Sequence, residues 1–368
     1  MEEGDQPFVD PHHFPLPSPR GGFNNLLGYL APFLHPFRNA HFRGGLYRGH
    51  TGGNAQPSDR PPDGTCHQAA IHATPTHRGP ERVCARLPLN RRQTHASHTL
   101  TQDQLEAYLA RIGQDRPRRI DRESLTALHR AHLLSFTWEA LDAFMGWPQG
   151  FGPEAAFAKM VTGRRGGWCY EMNGLFGAAL SALGFRVTRL CGGVNREVLG
   201  DLAIGNHLTL RVDLDRPYLA EVGVADAIIA PVPMEPGPIC QRGFDFAIGA
   251  ADQGWMRFRN HALGVARSFD FRPDHSDETA LAAAQGWLLQ DAGSPFTGAL
   301  AIMRHTEDGY VALQNDSLRH VTAGSLDQHQ ITGADHLADI LHTTFQIDVP
   351  RPDAIWDRIE TLRQSRAA

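Results

Sequence analysis

The stretch RRGGWCYEMNG (164–174) sets Cys169 directly after a glycine pair and Trp168, and directly before a run with helical apolar spacing. Gly166 and Gly167 let the backbone turn tightly and approach another group closely. Cys169 is then expected in the first turn of a helix, where the helix dipole and free N–H groups favour a thiolate. A thiolate nucleophile needs a base, and the base needs an orienting acid. His207 follows the turn-forming pair Gly205-Asn206 at the head of the alternating run HLTLRVDL (207–214). Glu221 lies in the next extended run, YLAEVGV (218–224), with Asp226 the next acid along. Pairing of the two runs would bring His207 and Glu221 together, and the trio would make an acyl-transfer site. Each residue also has an ordinary reading: Cys169 as a small core residue, His207 as a turn residue, Glu221 as a half-exposed group on an edge strand. Residue chemistry by itself leaves both readings open.

The surrounding elements follow from periodicity. Thr101 to Gln104 form a capping-box pattern, with Leu105, Tyr108, Leu109 and Ile112 on one helical face and Gly113 as the stop. Asp121 opens a second helix carrying Leu125, Leu128 and Leu133, and 153–161 is a third helical segment. The helix after Cys169 buries Met172, Leu175, Phe176, Ala179, Leu180 and Leu183, and Gly184 closes it. From residue 185 the period becomes two, with strands expected at 185–194, 207–214, 218–224, 255–260, 298–306 and 309–315. Helices return at 333–345 and 353–365. Helices, then strands, then a mixed end predict an α+β protein.

Composition narrows the function classes. A net charge of -5 with 41% hydrophobic residues, and no basic run interleaved with aromatics, excludes a nucleic-acid partner. No run reaches the roughly 18 apolar residues of a membrane span, so no membrane partner is expected. The acidic start without a following apolar run is no secretory signal, and a cytoplasmic protein is expected. Residues 1–98 are rich in Pro, Gly, His and Arg, which predicts a disordered tail or a native start near residue 98. The histidines there lack ligand spacing, and the five cysteines (66, 84, 169, 191, 240) suggest neither a disulfide framework nor a zinc site, so no metal is expected. Basic charge rests on arginine, with Lys159 the sole lysine, which reads as a bacterial, GC-rich coding sequence.

Several segments, in order and at the right spacing, resemble the arylamine N-acetyltransferases: RGGWCYEMN (165–173) their RGGxCxExN signature, LEAYLARIG (105–113) their opening helix, SFTWEALD (135–142) their IPFENLD segment, and NHLTLRV, YLAEVGV and SPFTGALAIMRHTEDGY the segments after it. The resemblance covers about residues 100–365. It implies an N-terminal helical bundle (99–184) carrying the cysteine, a β-barrel (185–295) carrying histidine and acid, and an α/β lid (296–368), around a core like that of cysteine proteases and transglutaminases. It also implies a ping-pong acyltransferase with acetyl-CoA as co-substrate, no bound cofactor, and an arylamine or hydrazine acceptor. Cys169 would be the nucleophile, His207 the base and acid, and Glu221 the orienting carboxylate. Glu139 and Arg165, with Arg111, would form supporting ion pairs.

Three departures stand out. The family acid is Asp, here Glu221, and the longer arm is expected to tolerate Glu221→Asp. The family's VGFG reads VGVA, which puts Val224 where an aromatic is usual, and its PFEN reads TWEA (137–140), so that Trp138 and Trp168 join Val224 as expected pocket residues. Two other readings keep the scaffold: an amide synthase that closes a macrolactam from a polyketide thioester, and a catalytically degenerate member. Protease or transglutaminase activity ranks last. Nothing in the chain fixes an oligomeric state.

Overall fold

A computed structural model of the chain describes residues 99–367; the expectations for the tail fall outside these residues. Thr101 caps α1 (Gln102–Arg111) through reciprocal bonds with Gln104. Asp121 caps α2 (Arg122–Ser135) by accepting from the Ser124 N–H. A two-residue strand, β1 (Trp138–Glu139), and the short helices α3 (Leu141–Met145) and α4 (Gly152–Phe157) follow. The expected helix at 153–161 is helical throughout, but Ala158–Thr162 widens into a π-helix, a form that recurs at functional sites. The helix α5 (Cys169–Leu183) is buried along almost its whole length and stops at Gly184, whose φ of 99° suits only glycine comfortably.

The second part of the chain supplies β2 (Arg186–Val194), α6 (Arg196–Leu199), β3 (His207–Asp213), β4 (Pro217–Leu219), β5 (Val232–Pro233), β6 (Gly237–Gln241), β7 (Phe244–Ala250), β8 (Met256–Arg259) and β9 (Ser268–Phe271). These strands form one antiparallel sheet in the order β5-β4-β3-β2-β9-β8-β7-β6. The Gln241 side chain at the end of β6 accepts from the N–H groups of Ile229 and Ala230 and donates to the Ala230 carbonyl, just before β5. The two outer strands thus meet across a seam, and the sheet is a nearly closed barrel. After α7 (Glu278–Gln290) and α8 (Pro295–Gly298) come β10 (Ala301–His305), β11 (Gly309–Gln314), β12 (Ser317–Thr322) and β13 (Leu326–Gln330), then α9 (Ala334–Thr343) and α10 (Pro352–Ala367).

Two differences from the sequence expectation bear on the site. The run 298–306 opens with α8 and becomes a strand only at Ala301, and β10 pairs with β1: Trp138 faces Met303 and Glu139 faces Ile302. The segment before the glycines is thereby held by the C-terminal sheet. The expected strand 218–224 ends at Leu219, and residues beyond Ala220 run as a buried irregular loop. The cause is a wedge. In this register the Ala220 N–H bonds the Leu210 carbonyl, and the next ladder bond would join the Val222 N–H to the Leu208 carbonyl. The Asn173 amide from α5 stands between them instead, donating to Leu208 O at 2.7 Å and accepting from Val222 N at 3.0 Å.

The larger apolar cluster joins α1, α2 and α5 to the barrel, with Leu175, Phe176 and Leu180 fully buried. A second cluster packs Leu141 and Phe144 of α3 against β10, β11, α9 and α10.

Candidate active site

Cys169 is the first residue of α5, with Trp168 as the N-cap residue and the Trp168 N–H donating to Glu171 Oε2 at 3.2 Å. The glycines before it act by close approach. Gly167 N–H donates to Thr137 O and Gly167 O accepts from the Glu139 N–H, both at 3.1 Å, so the turn is stitched to β1. A Cβ on Gly166 would run into the Thr137 carbonyl, and one on Gly167 would lie 2.8 Å from the Met160 sulfur. Across from the thiol, a Cβ on Gly223 would lie 2.8 Å from Cys169 Cα. The loop therefore seats against the cysteine only because it carries glycine there.

His207 heads β3, opposite Gly192 on β2. The turn before it is held by Asn206, whose side chain bonds both main-chain groups of Val194, and by the Tyr170 hydroxyl, which donates to Gly205 O at 2.5 Å. His207 Nε2 lies 2.9 Å from Glu221 Oε2, with both side chains buried. The Cys169 side chain also acts on the same ring. Burial disfavours the imidazolium, but the Glu221 carboxylate and the contact with Cys169 outweigh it and raise the His207 pKa to about 10. Burial likewise opposes ionisation of Glu221, yet the His207 charge and its hydrogen bonds hold the carboxyl below its ordinary value.

Glu221 has a full set of donors. Oε1 accepts from Asn173 Nδ2 at 2.9 Å and from the N–H groups of Gly223 at 2.6 Å and Val224 at 3.0 Å, leaving Oε2 for the imidazole. The carboxylate folds back over its own loop, and the Asn173 wedge sets the Glu221 backbone away from β3. The extra methylene of Glu spans that offset. Asp226 is committed elsewhere: it accepts from Asn260 Nδ2 at 2.8 Å and the Val265 N–H at 2.5 Å.

Behind the helix start lies a buried ion cluster. Arg165 pairs with Glu139 at 2.8 Å and with Asp142 at 2.9 Å. Arg111 does not join it. Its guanidinium lies 5.0 Å from the centre of the Phe136 ring. The second cation is Lys159, on the π-helix, 2.7 Å from Asp142, 2.9 Å from Glu171 and 3.5 Å from Glu139. Burial opposes its charge, but the three carboxylates raise its pKa above the ordinary lysine value.

Of the expected pocket residues, Trp138 and Trp168 meet through Phe296 of α8, at ring-centre distances of 5.8 and 5.5 Å. Trp168 also packs on Tyr170 at 5.1 Å. Val224 contributes the N–H that caps Glu221. Sequence reasoning missed roles for Lys159, Asp142, Asn173 and Phe296. Only Asn173 left a usable signal, since it lies four residues from Cys169 on the same helical face.

With this geometry in hand, comparison with known proteins is decisive. Residues 121–354 match the family model described as N-acetyltransferase. An arylamine N-acetyltransferase of Mycolicibacterium smegmatis is 31% identical over 263 residues, covering 67% of this chain and 92% of the relative. The chain belongs to the arylamine N-acetyltransferase family. It is an acyltransferase of mixed α and β structure. The structure of the Mycobacterium marinum arylamine N-acetyltransferase in complex with CoA superposes with a TM-score of 0.63 at 26% identity, over 70% of this chain and 99% of that one. An arylamine N-acetyltransferase of Bacillus cereus, described as having a unique Cys-His-Glu catalytic triad, shares the fold with a TM-score of 0.57 at 24% identity, over 68% of this chain and all of that one. Among the described residues no helix is long and apolar enough to cross a membrane.

Proposed function

We propose that this chain transfers an acetyl group from acetyl-CoA to an arylamine or hydrazine through a thioester on Cys169, in a ping-pong reaction. The observation that carries the reading is the buried His207, bonded to Glu221 and raised in pKa by both Glu221 and Cys169. The imidazole takes the thiol proton, and the resulting imidazolium stays paired with Glu221 while the thiolate attacks the acetyl carbonyl. The thioester forms as the bond to CoA sulfur breaks, and CoA leaves with a proton from His207. The amine then attacks, His207 takes its proton, and the acetamide leaves with the thiolate restored. The Cys-His-Glu triad described for the Bacillus cereus relative supports Glu in the acid position.

Trp138, Trp168 and Phe296 would form the wall against which an aromatic acceptor packs. Val224, smaller than the usual aromatic, would widen the other side. Glu139, Arg165, Asp142 and Lys159 support the helix start and do no chemistry. The reading also divides the described chain into a helical unit, a barrel and a C-terminal lid around a transglutaminase-like core, in a cytoplasmic protein.

Two-substrate kinetics test this. Parallel double-reciprocal lines for acetyl-CoA and an aminobenzoate, abolished by Cys169→Ser, are the expected result. Intersecting lines, or turnover by Cys169→Ser, would remove the thioester from the reaction.

A further inference from the structure

The loop that carries Glu221 is buried, and its backbone groups must find partners away from the sheet. Some are met by Asn173, some by the Glu221 carboxylate, some by Gln241. Two carbonyls toward opposite ends of the loop are met by one side chain from another element. His129, fully buried on α2, has Nε2 3.0 Å from Glu221 O and Nδ1 3.0 Å from Ile229 O. Its ring stands edge-on to Phe176 of α5, 5.7 Å away, so the same residue touches the helix of the nucleophile.

One imidazole between two carbonyl oxygens donates to both only as the imidazolium; the neutral ring bonds one and turns a lone pair on the other. Burial pushes the His129 pKa down to about 4, against the pull of the two carbonyls and the Glu221 carboxylate. His132 on the same helix and His305 on β10 are the other titratable groups that sense its charge, and both are themselves held below the ordinary histidine value by burial. Around neutral pH the ring is therefore neutral and must choose a carbonyl. Glu221 and Ile229 are both buried, and the Glu221 carboxylate, whose charge the ring senses, draws the N–H toward the Glu221 side of the ring.

We propose that His129 is a positioning residue for the acyl-transfer site: as the Nε2–H tautomer it donates to the main-chain carbonyl of Glu221 and so fixes the carboxylate against His207. The inference rests on the Cys169–His207–Glu221 reading and adds a member to it that touches no substrate.

Gln and Asn separate the two contacts. The amide nitrogen of His129→Gln falls near the former Nε2 and retains the bond to Glu221 O. That of His129→Asn falls near Nδ1 and retains the bond to Ile229 O. Both variants are compared with the wild type for Tm, kcat/KM and the pH profile of Cys169 alkylation by iodoacetamide. The expected result is similar Tm values for the two variants, with the wild-type alkylation profile and near wild-type kcat/KM in His129→Gln. In His129→Asn, alkylation below pH 8 slows and kcat/KM falls by roughly tenfold, the scale of a small misplacement of a reacting group. The reverse order, or two variants that behave alike, overturns the proposal. Nitrogen NMR of labelled histidine in the unmutated protein reads the tautomer directly: Nε2–H supports it, and Nδ1–H overturns it whether or not the variants fold. If the triad reading itself fails, wild-type Cys169 alkylates no faster than a free thiol, an outcome distinct from any of these.

Discussion

Glu221 reaches His207 from a backbone that the Asn173 amide holds away from β3, and its carboxylate also caps the N–H groups of Gly223 and Val224. This changes the expectation for Glu221→Asp. A shorter acid at 221 keeps the turn bonds, as Asp side chains do with N–H groups two and three residues on, but its carboxylate withdraws from the imidazole by about one C–C bond, ~1.5 Å. Glu221→Asp should therefore lower kcat/KM by about tenfold or more rather than be tolerated, and Glu221→Gln should slow Cys169 alkylation near pH 7 because His207 loses the carboxylate that raises its pKa. Stopped-flow alkylation and steady-state rates check both. An Asp variant as fast as the wild type would mean that the loop closes the gap. Gly223→Ala, which sets a methyl group against Cys169, should suppress acetyl transfer far more than it lowers Tm.

The start of α5 is an element assembled from distant pieces: β1, the π-helix and the two glycines, joined by Lys159, Arg165, Glu139, Asp142 and Glu171. Lys159→Met leaves Asp142 and Glu171 buried without their nearest cation. A broken buried pair costs about 3–5 kcal/mol, so Tm should fall on the order of 10 °C. Arg111→Met should cost much less, since Arg111 faces Phe136 and lies outside the cluster. Thermal melts of the two variants decide this, and equal losses would contradict the cluster as drawn. Much of this level was legible beforehand. Helix α5 and its Gly184 stop, the caps at Thr101 and Asp121, and strands β2 and β3 follow from local periodicity and capping chemistry. Strand β1, at two residues, is too short to carry a period and exists because β10 pairs with it. The end of β4 was likewise invisible, because a side chain from another element terminates it.

Across the whole molecule, the buried charge pair links folding to pH. His207, raised to about 10 from an ordinary value near 6.5, contributes stability that is complete below about 6.5 and is lost as pH rises toward 10. Glu221, held below its ordinary value near 4.5, contributes stability that is present above that value and is lost as pH falls through its lower folded pKa. The gap in Tm between wild type and Glu221→Gln should thus be widest between about pH 4.5 and 6.5 and narrow steadily toward pH 10. A gap independent of pH would mean that the pair is not ionised in the folded state. Residue types and order made Cys169, His207 and Glu221 readable as an acyl-transfer trio; their mutual contacts depend on a barrel and a wedge that no local pattern encodes. The measurement that tests the central claim most directly is intact-protein mass spectrometry after brief mixing with acetyl-CoA and no acceptor, followed by peptide mapping. One acetyl group on Cys169, discharged when an aminobenzoate is added, is the predicted result. An unmodified Cys169, or acetylation elsewhere with Cys169 free, would contradict it.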